Sequence, residues 1–139
     1  MYHKILLVGN LGRDPEMRYL TSGAAVTNFS MATSEKWTGQ DGSQQERTIW
    51  WRVSVFGKAG EACNEYLKKG SKVLVEGRMN ADAKGNPRVY KRNDGEAAAS
   101  FEVTALTVKF LSNRGEGGGG QGGPGMMEHD PADEAEIPF

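Results

Sequence analysis

The sequence predicts an all-β domain of five strands carrying one helix, followed by a tail that has no share in it. Three observations lead there. Short runs of β-branched, aliphatic and aromatic residues recur through residues 1–112, bounded by Gly, Pro, Asn or Asp. One stretch, Ala59 to Lys69, carries apolar residues at helical spacing. From Asn113 the composition turns to glycine and then to acid.

The first strand is expected over residues 3–9, His3-Lys4-Ile5-Leu6-Leu7-Val8-Gly9, whose aliphatic run suits a buried position. Asn10-Leu11-Gly12-Arg13-Asp14-Pro15 has turn chemistry, and Glu16 to Thr21 continues the strand briefly. Ala24 to Ser34 alternates, with Thr27, Phe29 and Met31 on one face, and forms the second strand. Trp37 stands at the mouth of a polar loop predicted over Thr38 to Glu46. A tryptophan there either offers a stacking surface or folds back onto the body.

The third strand, Thr48 to Phe56, has two unlike faces. Ile49, Trp51, Val53 and Val55 make an ordinary core face, while Thr48, Trp50, Arg52, Ser54 and Phe56 set two aromatics around an arginine. The second face suits stacking on planar bases and pairing with phosphates. Packing of Trp50 and Phe56 beneath a loop is the other use it fits.

In the helix, Ala59, Ala62, Cys63, Tyr66 and Leu67 form the apolar stripe, with Gly70 placed as a C-cap and Lys68 and Lys69 at the negative end of the dipole. Cys63, on that stripe, reads as a small buried hydrophobe and not as a nucleophile. Val73 to Met79 is the fourth strand. Asn80 to Ala98 has turn signals at Gly85-Asn86-Pro87 and Asn93-Asp94-Gly95, bracketing Arg88-Val89-Tyr90-Lys91-Arg92 in a projecting basic hairpin. Ala99 to Leu111 closes the domain, with Leu106, Val108 and Phe110 on one face. Five strands with a helix between the third and fourth match a Greek-key oligonucleotide/oligosaccharide-binding (OB) barrel, in which the second and third strands supply the binding surface.

Composition narrows the function classes. The net charge of −1 divides into +5 over residues 1–114, with 17 Lys and Arg against 12 Asp and Glu, and −6 over residues 115–139. A basic body favours polyanions. One cysteine rules out an internal disulfide, and His3 and His129 have no partners at ligand spacing, so neither metal nor cofactor is expected. No apolar run is long enough to cross a membrane. The first strand's short apolar run is too brief for a signal peptide, which points to the cytoplasm or to a mature organellar protein.

Three units follow: a binding domain over residues 1–112, a Gly-rich flexible linker over 113–127 and an acidic tip over 128–139. The tip ends in Ile137-Pro138-Phe139. Two apolar residues and a free carboxylate on an acidic leash suit a shallow apolar pocket rimmed by Lys or Arg. Added solubility is the plainer use.

The chain resembles bacterial-type single-stranded DNA-binding proteins. The likeness runs through Leu7 to Glu16, Ala32 to Trp37, Trp50 to Val53, Phe56 to Lys58, Glu65 to Ser71, Val75 to Arg78 and Ile137-Pro138-Phe139. It implies a homotetramer that binds single-stranded DNA without sequence preference in the cytoplasm, associated with the nucleoid. It also implies no enzymatic activity, and recruitment of replication, recombination and repair proteins through the tip residues Asp133, Glu134, Glu136, Ile137, Pro138 and Phe139. By position, Trp37, Trp50 and Phe56 match family aromatics that stack on bases. Arg18, Arg52, Lys58, Lys69 and Arg78 are the corresponding phosphate candidates, joined by Arg88 and Lys91 of the hairpin.

Two departures stand out. Many relatives have an aromatic soon after the Glu-Gly-Arg segment, whereas Asn80 to Lys84 has none, which leaves Tyr90 as the hairpin's stacking candidate. Ala135 interrupts the acidic tip. An RNA-binding barrel and a nuclease remain as rivals, the second without a His/Asp/Glu cluster at metal spacing or a nucleophile beside a base.

Overall fold

Five strands close on themselves around a core of aliphatic side chains, as a computed structural model describing residues 1–112 shows. The linker expected over 113–127 and the tip over 128–139 lie outside the described residues. In chain order the elements are β1 (Ile5–Leu11), β2 (Glu16–Tyr19), β3 (Ala25–Thr38), β4 (Gln44–Phe56), α1 (Gly57–Tyr66), β5 (Lys72–Met79), β6 (Val89–Lys91), β7 (Ala97–Ala99) and β8 (Phe101–Phe110). The ring runs β1-β5-β8-β4-β3 and returns to β1 through Asn10 opposite Ala32 and Leu11 opposite Met31. The β4–β8 pairing is parallel and the other ring pairings antiparallel. This is the predicted barrel, with β1, β3, β4, β5 and β8 as its five strands and the helix between the third and fourth.

Inward alternation fills the barrel. Leu7 and Leu11 of β1, Phe29 and Met31 of β3, Val53 and Val55 of β4, Val73 and Val75 of β5 and Val103 of β8 are all buried in one cluster. Each such side chain taken from water contributes about 1.5–3 kcal/mol. Closure also demands close backbone approach. A Cβ on Gly9 would lie 2.1 Å from the Ala32 carbonyl oxygen, and one on Gly77 would lie 2.3 Å from that of Thr104. Only glycine lets the strands meet at these two points.

Several boundaries differ from expectation, each for a physical reason. Asn10 and Leu11 extend β1 instead of turning, because Leu11 is buried and exchanges backbone hydrogen bonds with the segment after the helix. The polar loop Thr38 to Glu46 shrinks to a tight turn. Thr38 pairs with Gln44, Gly42 takes a φ of 82°, and Asp41 accepts hydrogen bonds from the Ser43 backbone and hydroxyl. Trp37 therefore lies on a strand.

The helix ends at Tyr66, and Leu67 caps it by donating its N–H to the Cys63 carbonyl. Gly70 (φ 89°) instead belongs to the following turn, so Lys68 and Lys69 lie outside the last helical turn. The face α1 presents inward is Gly60, Cys63 and then Leu67, while Ala59 and Tyr66 are exposed. Gly60 sits where a Cβ would come within 2.3 Å of the Val55 carbonyl, and its own carbonyl accepts the buried Thr27 hydroxyl at 2.6 Å. Leu106 is the extra residue of a β-bulge, for Glu76 pairs with Thr107 and Gly77 with Ala105. The bulge moves Leu106 to the outside and keeps Val103, Ala105 and Val108 against the core. Ala99, expected in the last strand, belongs to β7.

Candidate nucleic-acid interface

The outer face of β3 and β4 is built from small residues beside large ones. Register sets Ala32 opposite Trp50, Ser30 opposite Arg52 and Asn28 opposite Ser54, and directly opposed residues share a face. Trp50 is 55% exposed, and with Arg52 and Phe56 it occupies the face predicted for it, while Trp51 turns into the core. The Trp51 indole N–H donates to the Thr33 hydroxyl at 2.9 Å, and its ring lies 5.2 Å from that of Phe101. Adjacent tryptophans therefore differ in exposure, as strand alternation requires.

Beyond the barrel wall, the β6–β7 hairpin stands beside this face. Its turn lies at Arg92 to Glu96, and a second turn, Asp82 to Asn86, precedes β6; both are close to the predicted positions. Backbone N–H groups of Asn86 and Lys84 hydrogen-bond the Asp82 carboxylate and hold it below the usual carboxylate range. The hairpin leans on the barrel through Tyr90, whose ring centroid is 5.5 Å from the Arg52 guanidinium, and through Arg88, which pairs with Glu102 at 3.7 Å.

Two troughs open between these parts. The larger, about 820 Å³, is lined by Gly12, Arg13, Arg47, Trp50, Arg52, Tyr90 and Phe101, among others. The second, about 430 Å³, holds Arg13, Arg18, Arg52 and Arg88 against Asp14, Glu16 and Glu102. Arg13, Ser30 and Arg52 line both, so the two are continuous. The acids are partly engaged. Asp14 accepts the Lys69 backbone N–H at 2.8 Å, and Glu102 accepts the Ser100 hydroxyl besides pairing with Arg88. One trough is thus aromatic with cationic edges, and the other is rich in arginine.

The structure gathers Trp50, Tyr90, Arg18, Arg52 and Arg88 along these troughs. Trp37 and Phe56 line neither and sit toward opposite ends of the β3–β4 ribbon, 44% and 48% exposed. By parity Trp37 is on the ribbon face of Met31 and Thr33, away from that of Trp50. Arg47 links them: its guanidinium lies 5.4 Å from the Trp37 ring centroid, bonds Glu35, and edges the larger trough. Lys58 on α1, Lys69 after it, Lys91 on β6 and Arg78 on β5 are exposed and line neither trough. Arg78 stands over the Tyr2 ring at 5.8 Å.

Sequence reasoning passed over Arg13, Arg47 and Phe101. Arg47 was legible through Asp41-Gly42, a hairpin-turn pair that makes its flanks strands. Arg13 gave no signal beyond a basic residue in a turn.

The family model for the "Single-strand binding protein family" matches residues 2–111. The chain belongs to that family. It is 42% identical over 118 residues to the single-stranded DNA-binding protein of Neisseria meningitidis serogroup A, covering 85% of this chain and 64% of that one. Against the protein of the same description from Xanthomonas axonopodis pv. citri the identity is 46% over 115 residues, with 83% and 61% covered. The chain thus spans a little under two thirds of the length of these relatives. Among solved structures it resembles Plasmodium falciparum SSB in complex with single-stranded DNA, with a TM-score of 0.67 and 26% identity over 81% of this chain and 97% of that one. Within the family's barrel, the β3–β4 face and its two troughs are the candidate site.

No helix among the described residues is long and apolar enough to cross a membrane. Among the same residues no three His, Cys, Asp or Glu side chains are grouped to hold a metal ion.

Proposed function

We propose that this protein binds single-stranded DNA without sequence preference, using the β3–β4 face and the β6–β7 hairpin. The observation that carries the proposal is the exposed Trp50 beside Arg52, with Tyr90 facing them across an open trough. Bases stack on Trp50 and Tyr90, with Trp37 and Phe56 extending the path, each contact contributing about 1–3 kcal/mol. Arg52, Arg13, Arg18 and Arg88 neutralise phosphates and release counterions, while Lys58, Lys69, Arg78 and Lys91 serve strand that leaves the troughs. Stacking accepts every base, which accounts for weak sequence preference. Duplex DNA keeps its base faces within its own stack and binds poorly.

The mechanism contains no bond-breaking step. The protein coats and protects single strands during replication, recombination and repair, in the cytoplasm and on the nucleoid. It acts as a homotetramer. Leu6 of β1 and Leu106 of β8, each about half exposed, flank Glu76 of β5 away from the troughs, and such apolar surface supports association. The tip, Asp133, Glu134, Glu136, Ile137, Pro138 and Phe139, recruits partner proteins.

The test is titration of tryptophan fluorescence with poly(dT) at several salt concentrations. Quenching reports stacking, saturation the site size and the salt slope the phosphate count. Absence of quenching at saturating poly(dT) would remove Trp50 from the site.

A further inference from the structure

Gly12 stands out among the glycines that a side chain would crowd. At Gly9, Gly60 and Gly77 an added Cβ would meet a backbone carbonyl oxygen within 2.3 Å, so those positions serve the fold. At Gly12 the nearest atoms belong to a side chain in the candidate site: Cζ3 of Trp50 at 2.4 Å and Cη2 at 2.8 Å. The next atom, the Ser30 hydroxyl, is at an ordinary 3.5 Å. The Gly12 backbone has no positive φ, so alanine is conformationally acceptable there. The Trp50 ring is what a methyl group would displace.

The geometry explains how the ring gets there. Trp50 belongs to β4, whereas Gly12 follows β1, and β3 lies between them. The Gly12 N–H donates to the Ser30 carbonyl of β3 at 3.0 Å, which ties the turn to that strand. To meet Gly12, the indole must cross β3, and the side chain opposite Trp50 there is the small Ala32. The six-membered edge of the indole ends against Gly12, within the larger trough.

We propose that Gly12 is a positioning residue for DNA binding: the missing side chain forms the seat that holds the Trp50 ring across β3 in its base-stacking pose. This rests on the stacking role of Trp50 given above. A Cβ at Gly12 would tilt the ring away and shift the surface on which a base lies.

The experiment is a cycle of Gly12→Ala, Trp50→Phe and the double variant, each titrated with poly(dT) across a salt series, with melting curves and circular dichroism. Phenylalanine keeps a stacking ring but lacks the indole's outer edge. Gly12→Ala is expected to weaken binding roughly fivefold or more, the lower end of one base–aromatic contact, at an unchanged salt slope. In the Trp50→Phe background the same change should have no further effect. If Gly12→Ala alone fails to fold, recovery of fold and binding in the double variant supports the same contact, and a double variant that stays unfolded overturns it. Unchanged binding by folded Gly12→Ala would overturn the proposal, as would an equal loss in both backgrounds. Normal binding by Trp50→Ala, measured alongside, would overturn the stacking role itself and so separates the two failures.

Discussion

The Arg52 guanidinium lies 5.5 Å from the centre of the Tyr90 ring, joining the barrel wall to the β6–β7 hairpin. A cation over an aromatic face is attracted to its quadrupole, by about 0.5–1 kcal/mol at an exposed site. Both partners also face the larger trough. The contact therefore ties the hairpin to the barrel at the edge of that trough.

Tyr90→Ala should accordingly weaken poly(dT) binding by about tenfold, within the range for one stacked base, and loosen the hairpin. Tyr90→Phe retains ring and cation contact and should bind as the parent does. Hydrogen exchange of residues 88–92 beside the titrations checks both halves. Unaltered binding by Tyr90→Ala would leave the hairpin outside the DNA path.

Trp50→Ala removes the largest exposed ring on the β4 outer face, and a loss of tenfold or more in single-strand affinity is expected. Trp51→Ala should behave differently. Its ring packs in the core and its N–H holds Thr33, so the loss should appear as lowered melting temperature, by about 3–5 kcal/mol of stability. Parallel melting and binding curves distinguish the neighbours.

Burial pushes the Cys63 thiol up from 9.0 to about 11, because the barrel end and helix exclude water from the thiolate. The unfolded chain ionises first as pH rises. The stabilisation from keeping this thiol protonated is thus complete below pH 9 and is lost between pH 9 and 11, by about 1.4 kcal/mol per pH unit at most. Cys63→Ala will cost stability through its cavity, yet its stability should fall less steeply across that window. Denaturant titrations of both proteins at several pH values measure the difference. Thiol labelling of the native parent at pH 8 should be slow until denaturant is added.

The barrel was legible because its signals are local and agree. Alternation in Thr48 to Phe56 separated Trp50 from Trp51 without any tertiary information, and the helix announced itself by spacing. The distal half of the β3–β4 ribbon was hidden by its own composition. Thr38 to Glu46 is polar on both faces since it projects beyond the core, and no hydrophobic alternation marks it as strand. The bulge at Leu106 was invisible for the opposite reason: an apolar residue in an apolar strand offers no sign that register shifts there. Gly12 likewise looked like turn chemistry, and its closeness to Trp50 exists only once β3 has come between them.

The tip, residues 128–139, lies outside the described residues and combines acidic and apolar side chains. Deleting Glu134 to Phe139 removes two acids together with the apolar Ile137-Pro138-Phe139 segment in one step. Poly(dT) affinity should stay level or rise slightly, since an acidic segment competes with phosphate for the basic face. Capture of replication and repair proteins on immobilised chain should disappear. Retention of those partners by the truncated chain would place recruitment elsewhere.

Salt dependence can tell which arginines meet the strand. Each phosphate neutralised on a single strand contributes about 0.7 to the slope of log affinity against log salt. Arg52 lines both troughs, whereas Arg78 stands over Tyr2 away from them. With a short oligonucleotide that fills only the troughs, Arg52→Ala should flatten the slope by about 0.7 and Arg78→Ala should leave it unaltered. With long poly(dT), which continues past the troughs over the surface, Arg78→Ala should flatten the slope as well. Equal effects of the two substitutions on the short oligonucleotide would mean that the strand enters from the β5 side, and the path drawn through Trp50 and Tyr90 would have to be abandoned.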